Sequence, residues 1–498
     1  MKPVSGLVPN SFASETQPMV RPTGFREYDA RWLFPEELNL LGAQELGLGL
    51  GTMLRADGIR DIITGHDFRA YSASIKHALA LGLVRAGLRV HDIGLALSPM
   101  AYFAQFALDV PAVAMVTASH NDNGWTGVKM GRQRPVTFGP DEMGRLRDIV
   151  LGGEGTPADG GSYRLVENFP ERYLADLLQG RTITRRLKVV AACGNGTAGA
   201  FAPGLLEALG CEVVPLDTIG DFTFPRYNPN PEDMRMLEAM AEKVREVGAN
   251  VGLGFDGDGD RCGVVDDEGH EIFADKVGVM LARDLSGLHP GATFVVDVKS
   301  SGLFATDPVL LTNGVRADYW KTGHSYIKRR VSELGALAGF EKSGHFFFNT
   351  PIARGYDDGL LTAIAVIEML DRAPGKSMAD LYRDLPKTWG SPTMSPHCAD
   401  ERKYGVAAAV VARFEAMAKA GEGFTGQPIR DVNTVNGVRV TVADGTWGLV
   451  RASSNKPELV VVVESPVSEA RMRAMFEAID GVLRENDGVG AYNQTLAQ

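Results

Sequence analysis

Three aspartates spaced by glycines, Asp256, Asp258 and Asp260 in GLGFDGDGDRCGVV, follow directly on an apolar run. Carboxylates brought that close repel one another unless a cation sits among them. Donors that are all oxygen suit a hard ion, and three carboxylates leave room in an octahedral shell for a phosphate oxygen, so Mg²⁺ fits. An EF-hand would need Gly at its sixth position and usually Glu at its twelfth, whereas counting from Asp256 gives Arg261 and Asp267. A second segment, VAMVTASHNDNGWTGVKM, sets an apolar strand before Thr117-Ala118-Ser119-His120-Asn121 and then a polar turn ending at Lys129. A hydroxyl nucleophile on such a loop, with Lys129 near to stabilise phosphate charge, makes a phosphoryl-accepting site. The plain alternative is a turn in which Asn121 and Asn123 form local Asx hydrogen bonds.

Two further segments carry convergent polar groups. WKTGHSYIKRR holds Lys321, His324 and Lys328, and AGFEKSGHFFF holds Glu341, Ser343 and His345 between apolar runs. Glu, Ser and His together can grip vicinal sugar hydroxyls through paired donors and acceptors. Near the C-terminus, WGLVRASSNKPELVVVVES sets Arg451, Ser453, Ser454, Asn455 and Lys456 between two strands, where an Arg fork, hydroxyls and backbone N–H groups form a phosphate cradle. GLGLGT at Gly47 lies inside a helical pattern and lacks the strand-led dinucleotide form. No Walker A, H-E-x-x-H or G-x-S-x-G motif occurs, which removes the main support for nucleotide cleavage, zinc proteolysis and serine-esterase chemistry.

The elements that must hold these segments repeat. DIITGHDFRAYSASIKHALALGLVRAG from Asp61, VVAACGNGTAGAFAPGLLEALG from Val189 and FVVDVKSSGLFATDPVLLTNG from Phe294 each read as strand, small turn and helix. Their wide separation suits tandem α/β domains better than a solenoid. LGGEGTPADGGS near Leu151 reads as a linker or exposed loop, and DDEGHE at Asp266 as a hairpin turn leading to a helix from Ala274. After Asp384, a Pro- and Ser-rich stretch precedes an amphipathic helix from Val406 and the alternating strands GVRVTV and ELVVVVE, which predicts a smaller α+β domain.

With 498 residues, a single compact core is not expected, since domains average about 150 residues. Lys and Arg number 51 against 62 Asp and Glu, and the net charge of −11 repels nucleic acid and anionic membranes, so a phosphate-bearing ligand needs a local basic pocket. The four cysteines have neither disulfide nor zinc-knuckle spacing, the N-terminus lacks the apolar core of a signal peptide, and no run approaches the ~20 apolar residues of a membrane span. A protein of the reducing cytoplasm is expected, with no membrane or nucleic-acid partner.

Taken in order, the four chemical segments resemble the α-D-phosphohexomutase superfamily, closest to its bacterial phosphomannomutase/phosphoglucomutase branch, from FREYDARW at Phe25 to ELVVVVES. The resemblance implies an α/β fold of four domains around a central cleft: 1–165 with a phosphoserine loop, 166–270 with a Mg-binding loop, 271–384 with a sugar-specificity loop, all with mixed sheets, and an α+β domain 385–498 with a phosphate-binding loop and hinge motion. It assigns Ser119 as phosphoryl carrier and metal contact, Asp256, Asp258 and Asp260 as Mg²⁺ ligands, Glu341, Ser343 and His345 to the sugar, and Arg451, Ser453, Ser454 and Asn455 to phosphate. Arg31, Lys129, Arg261, Lys299 and His324 fall at positions similar to family active-site contacts. The implied activity interconverts hexose 1-phosphates and 6-phosphates of mannose or glucose through a hexose 1,6-bisphosphate that also serves as activator, in a monomer or small homo-oligomer. A phosphoglucosamine mutase and a catalytically silent sugar-phosphate binder are the alternatives, and His324, His345 and Lys129 all stand as candidates for the general base. The chain departs from the family pattern at Asp122, at Trp125-Thr126-Gly127, at Phe340 in place of Gly, and at Ser454 in place of Asn.

Overall fold

The computed structural model describes residues 1–454 and 456–496. Asn455 therefore lies outside the described residues. Four sheets organise the chain. The first contains β1 (Ala30–Leu33), β2 (Asp61–His66), β3 (Arg89–Leu95), β4 (Ala112–Val116), β5 (Trp125–Gly131) and β6 (Ser162–Leu165), in the order β1-β5-β4-β2-β3-β6. The second contains β7 (Lys188–Ala192), β8 (Glu212–Leu216), β9 (Val251–Phe255), β10 (Cys262–Val265) and β11 (Glu271–Ile272), in the order β11-β10-β9-β7-β8. In the third, β12 (Thr293–Asp297), β13 (Arg316–Trp320), β14 (Ala338–Phe340) and β15 (Phe346–Phe348) run β13-β12-β14-β15.

One strand order recurs in all three. Each strand that opens a sequence repeat, β2, β7 or β12, pairs in parallel on both sides, and the outer of the next parallel strands turns back into an antiparallel neighbour. The returning turn is the β4–β5 loop in the first sheet, β9–β10 in the second and β14–β15 in the third. Those turns carry Ser119, the three aspartates, and the Glu341 to His345 run. The chemistry thus sits at one topological position used three times.

The fourth sheet is wholly antiparallel, with β16 (Trp389–Gly390), β17 (Gly423–Phe424), β18 (Gln427–Asn433), β19 (Val438–Val442), β20 (Trp447–Ala452) and β21 (Leu459–Ser465) in the order β16-β21-β20-β19-β18-β17. Two sequence expectations change here. The helix begins at Asp400, ahead of Val406, with Asp400 and Glu401 in its first turn where acidic side chains suit the helix dipole. Strands β19 and β21 are buried on both faces, because on the side facing away from this domain's own helices Val460 and Val462 of β21 pack with Trp447 and Leu449 of β20 against Val298, just after β12, while Arg439 of β19 donates to the Val298 and Ser300 carbonyls.

Core packing divides the chain unevenly. One apolar cluster runs from Ile63 and Met115 in the first sheet through Val189 and Phe255 in the second to Phe294 and Phe340 in the third. The almost wholly buried helix Gly359–Asp371 contributes to that cluster. The fourth domain has its own core around Val440, Val461 and Ile479. All four cysteines are free and buried, and no described helix is long and apolar enough to cross a membrane.

Candidate active site

Ser119 is held in an unusual place. Its backbone has φ 50°, a left-handed conformation that non-glycine residues seldom adopt, and it is 3% exposed, so it is a buried hydroxyl. Arg69 holds the loop in that shape by donating to the carbonyls of Ser119 (2.9 Å), Asn121 (2.6 Å) and Asp122 (2.9 Å), while Asp67 accepts from the Ala118 N–H at 3.2 Å. Arg31 supports the preceding residue, donating to the Thr117 carbonyl at 2.7 Å and pairing with Asp29 at 2.8 Å. The Ser119 hydroxyl donates to Asp256 Oδ2 at 2.8 Å and lies 3.2 Å from Nδ1 of His120. Burial, with Arg261 close by, pushes the His120 imidazole well below its usual range.

Asp256, Asp258 and Asp260 lie fully buried next to Ser119, with one carboxylate oxygen from each within 4.8 Å of the other two. Lys129 is part of strand β5 and does not close the turn as its sequence context suggested. From there its ammonium donates to Asp258 Oδ2 at 2.7 Å and to Asp260 Oδ2. Burial alone would depress Lys129, but the two carboxylates hold it well above its ordinary value, and burial together with repulsion from Asp260 and Asp258 raises Asp256 far above the usual carboxylate range. Ser98, at the start of helix Ser98–Ala107, also donates to Asp258 Oδ2 at 2.6 Å. The Oδ1 atoms of Asp258 and Asp260 are buried and accept no hydrogen bond from a described residue. Crowded, oxygen-only and under-satisfied, this donor set fits a divalent cation.

The cleft over these groups has a volume of about 500 Å³ and is lined by Arg31, Ser119, Lys129, Arg261, Lys299, His324, Glu341, Ser343, His345, Arg451, Ser453 and Ser454. Every predicted site residue that is described therefore lies in the cleft wall or, for the three aspartates, immediately below it. Their partners refine the sequence reading. Glu341 is 1% exposed and accepts from the Gly323 N–H at 2.5 Å, which ties it to the start of helix His324–Leu334. His345 Nε2 accepts from Arg261 Nε at 2.9 Å, so the imidazole is already engaged with protein. Both ring nitrogens of His324 are buried without a hydrogen-bond partner among the described residues, and burial beside Lys328 pushes that imidazole well below its usual range. Arg451 is the penultimate residue of β20, donates to the Ala452 carbonyl at 2.8 Å and keeps a buried, unpartnered Nε.

Sequence reasoning missed Arg69, Asp67, Ser98 and His120, and also Tyr28, whose hydroxyl lies 3.2 Å from Ser454 Oγ. His120 adjoins the serine and could have been picked out on that ground. The others sit in unremarkable local sequence, and only folding gives them a role. Phe340, one of the departures from the family pattern, points into the core, stacking on Phe304 at 5.6 Å across from Gly278.

Family models of phosphoglucomutase/phosphomannomutase match the chain in four consecutive stretches: alpha/beta/alpha domain I over residues 22–154, domain II over 171–269, domain III over 273–389 and the C-terminal domain over 397–482. The chain is 34% identical over 473 residues to a phosphomannomutase/phosphoglucomutase of Pseudomonas syringae pv. tomato, covering 95% of this chain and 96% of that one. It is 35% identical over 441 residues to the corresponding Pseudomonas putida protein, covering 89% and 91%. A solved structure of a phosphoglucomutase/phosphomannomutase family protein from Burkholderia thailandensis matches with a TM-score of 0.84 at 30% identity, covering 96% of this chain and 100% of the other.

Proposed function

Because the chain belongs to the phosphoglucomutase/phosphomannomutase family and is a phosphohexomutase, we propose that it interconverts the 1-phosphates and 6-phosphates of mannose and glucose, with Ser119 as the phosphoryl carrier. The observation that carries this reading is the hydrogen bond of Ser119 to Asp256 at the floor of a cleft walled by basic side chains from all four sheets. In the first half-reaction the Oγ–P bond of phosphorylated Ser119 breaks and a bond forms from phosphorus to the free hydroxyl of a hexose 1-phosphate, giving the 1,6-bisphosphate. The hydroxyl proton passes to a base, and the departing Ser119 oxygen takes up a proton. After the intermediate turns round, the Ser119 hydroxyl gives up its proton to a base as Oγ takes the phosphoryl group from O1, the departing O1 is protonated, and hexose 6-phosphate is released.

The residues divide the work. Mg²⁺ held by Asp256, Asp258 and Asp260 would offset charge on the phosphoryl oxygens when bound. Lys129 supplies fixed positive charge at the same place. Its ammonium is committed to Asp258 and Asp260, and the His345 Nε2 lone pair to Arg261, which makes both unsuited to take the hydroxyl proton and leaves His324 for that role. Arg451, Ser453 and Ser454 hold the phosphate that is not reacting, while Glu341 and Ser343 face the sugar hydroxyls. One chain supplies all of these groups, so a monomer suffices, and the free cysteines suit the reducing cytoplasm. We divide the domains at 1–165, 166–270, 271–384 and 385–498.

Incubation with glucose 1,6-bisphosphate followed by intact mass and peptide mapping should find phosphate on Ser119, and Ser119→Ala should abolish turnover of both mannose and glucose 1-phosphates. Phosphate found exclusively on another residue would overturn the reading. Assays with glucosamine 1-phosphate alongside the two hexoses set the substrate range.

A further inference from the structure

Behind the cleft lies a buried ion pair, Lys328 with Asp357, that the reaction as described does not use. Lys328, on helix His324–Leu334, donates to Asp357 Oδ1 at 2.8 Å, and both side chains are 0% exposed. The Lys328 ammonium also lies 4.0 Å from the Tyr102 ring centroid. The other oxygen of Asp357, Oδ2, is 3.0 Å from His345 Nδ1, and Asp260 Oδ1 is 3.6 Å from the same nitrogen. On its far side His345 meets Arg261 at 2.9 Å through Nε2. Backbone pairing fixes this alignment, since Arg261 forms a β-bridge with His345 and Phe347 forms one with Asp357.

The direction of these contacts follows from chemistry. A guanidinium has donors and no acceptor, so the Arg261 Nε–H requires a lone pair on His345 Nε2. In a neutral imidazole the proton then belongs on Nδ1, where it faces the carboxylates of Asp357 and Asp260. The Nδ1 to Oδ2 approach is close but lacks the alignment of a hydrogen bond, so Asp357 acts on that side of the ring through its charge, which Lys328 balances. With Lys328 on Asp357 and Arg261 on His345, the cluster already holds two cations, and a metal ion is not needed there.

We propose that Asp357, anchored by Lys328, is a positioning residue that fixes His345 in the Nδ1–H tautomer, so that Nε2 presents its lone pair to Arg261. Arg261 is thereby aimed at the phosphoryl group on Ser119. The kinetic consequence rests on the mutase reading above, whereas the tautomer does not.

Histidine-selective ¹⁵N NMR of the full-length wild type, with His345→Gln assigning the resonance, should show a proton-bearing Nδ1 and a lone-pair Nε2. Asp357→Asn should disturb that pattern and lower kcat by about tenfold or more, with KM for hexose 1-phosphate changed far less. The double variant Lys328→Met/Asp357→Asn removes both charges together, which avoids burying either one unpaired, and should show the same two effects. A wild-type spectrum with the proton on Nε2, or on both nitrogens, overturns the proposal even if neither variant folds. Folded variants that keep the wild-type tautomer and kcat overturn it as well. A wild-type tautomer as proposed in a protein without mutase activity would refute only the functional reading.

Discussion

Lys129 places an ammonium between Asp258 and Asp260, and this single residue decides how the aspartate loop behaves when no cation is added. With Lys129 present, the loop is partly neutralised from within the fold. Chelator should therefore stop mutase activity reversibly while barely moving the melting temperature. Lys129→Met removes the internal cation and leaves buried carboxylates unpaired, a change that costs about 3–5 kcal/mol when one partner of a buried pair is lost. Thermal melts of the variant should show that loss in chelator and partial recovery with Mg²⁺. A variant as stable as the wild type in chelator would show that the pairing contributes little. Whereas Ser119 took its role from the family resemblance of its segment, the aspartates were legible in the sequence because their spacing is itself the chemical signal. The bond from Lys129 to Asp258, the clamp of Arg69 on the Ser119 loop and the Asp357–His345 contact were not, since each joins ordinary residues far apart in the chain.

At the scale of elements, the Ser119 loop and the aspartate loop touch through backbone. A Cβ on Gly257 would come within 2.3 Å of the Ser119 carbonyl oxygen, so only glycine lets the two turns approach this closely. Gly257→Ala should leave the sheets intact at a cost of about 1–3 kcal/mol, yet slow phosphoryl transfer about 100-fold, because displacement of the nucleophile by about 1 Å has that effect. Single-turnover transfer from glucose 1,6-bisphosphate, measured beside circular dichroism melts, tests this, and retention of more than half the wild-type rate would contradict it. The strand–turn–helix repeats were readable because each begins with an apolar run and ends in a helical pattern. What those repeats could not reveal was that the functional turns come later, at the reversal from parallel to antiparallel pairing, since pairing direction depends on tertiary contacts. Burial of both faces of β19 and β21 was hidden for the same reason, because Val298 is remote in sequence from the strands it covers.

Seen as a whole, the molecule is one large block and one smaller one. The first three sheets share a continuous core, while the fourth domain joins them through the Val298 contact and a polar junction at Glu464. Glu464 is 4% exposed and accepts from Lys276 Nζ at 2.5 Å, Ser301 Oγ at 2.9 Å and the Gly302 N–H at 2.8 Å. Burial alone would raise its carboxyl, but Lys276 and the other donors hold it down at about 2, against an ordinary 4.5. A depressed carboxylate stabilises the fold fully above its unfolded value and loses that contribution as pH falls through the folded one, so the window runs from about pH 4.5 down to about pH 2. Glu464→Gln should cost roughly 3 kcal/mol at neutral pH, and its difference from wild type should shrink across that window. Unfolding free energies of both proteins across pH would check this, and a pH-independent difference would count against it. On the opposite side of the fourth domain, Tyr28 meets Ser454, Arg26 lies 3.6 Å from Asp400, and Thr393 donates to Glu232 at 3.3 Å. These contacts tie the fourth domain to the first two beside the cleft, where Ser119 is 3% exposed. On the proposed mechanism, a phosphoryl group on that serine would be shielded from water, the most abundant competing acceptor, until a sugar arrives. On that mechanism, loosening these contacts would move the same serine and aspartates toward phosphatase behaviour, and the lifetime of a phosphorylated enzyme would depend on how firmly the fourth domain is held.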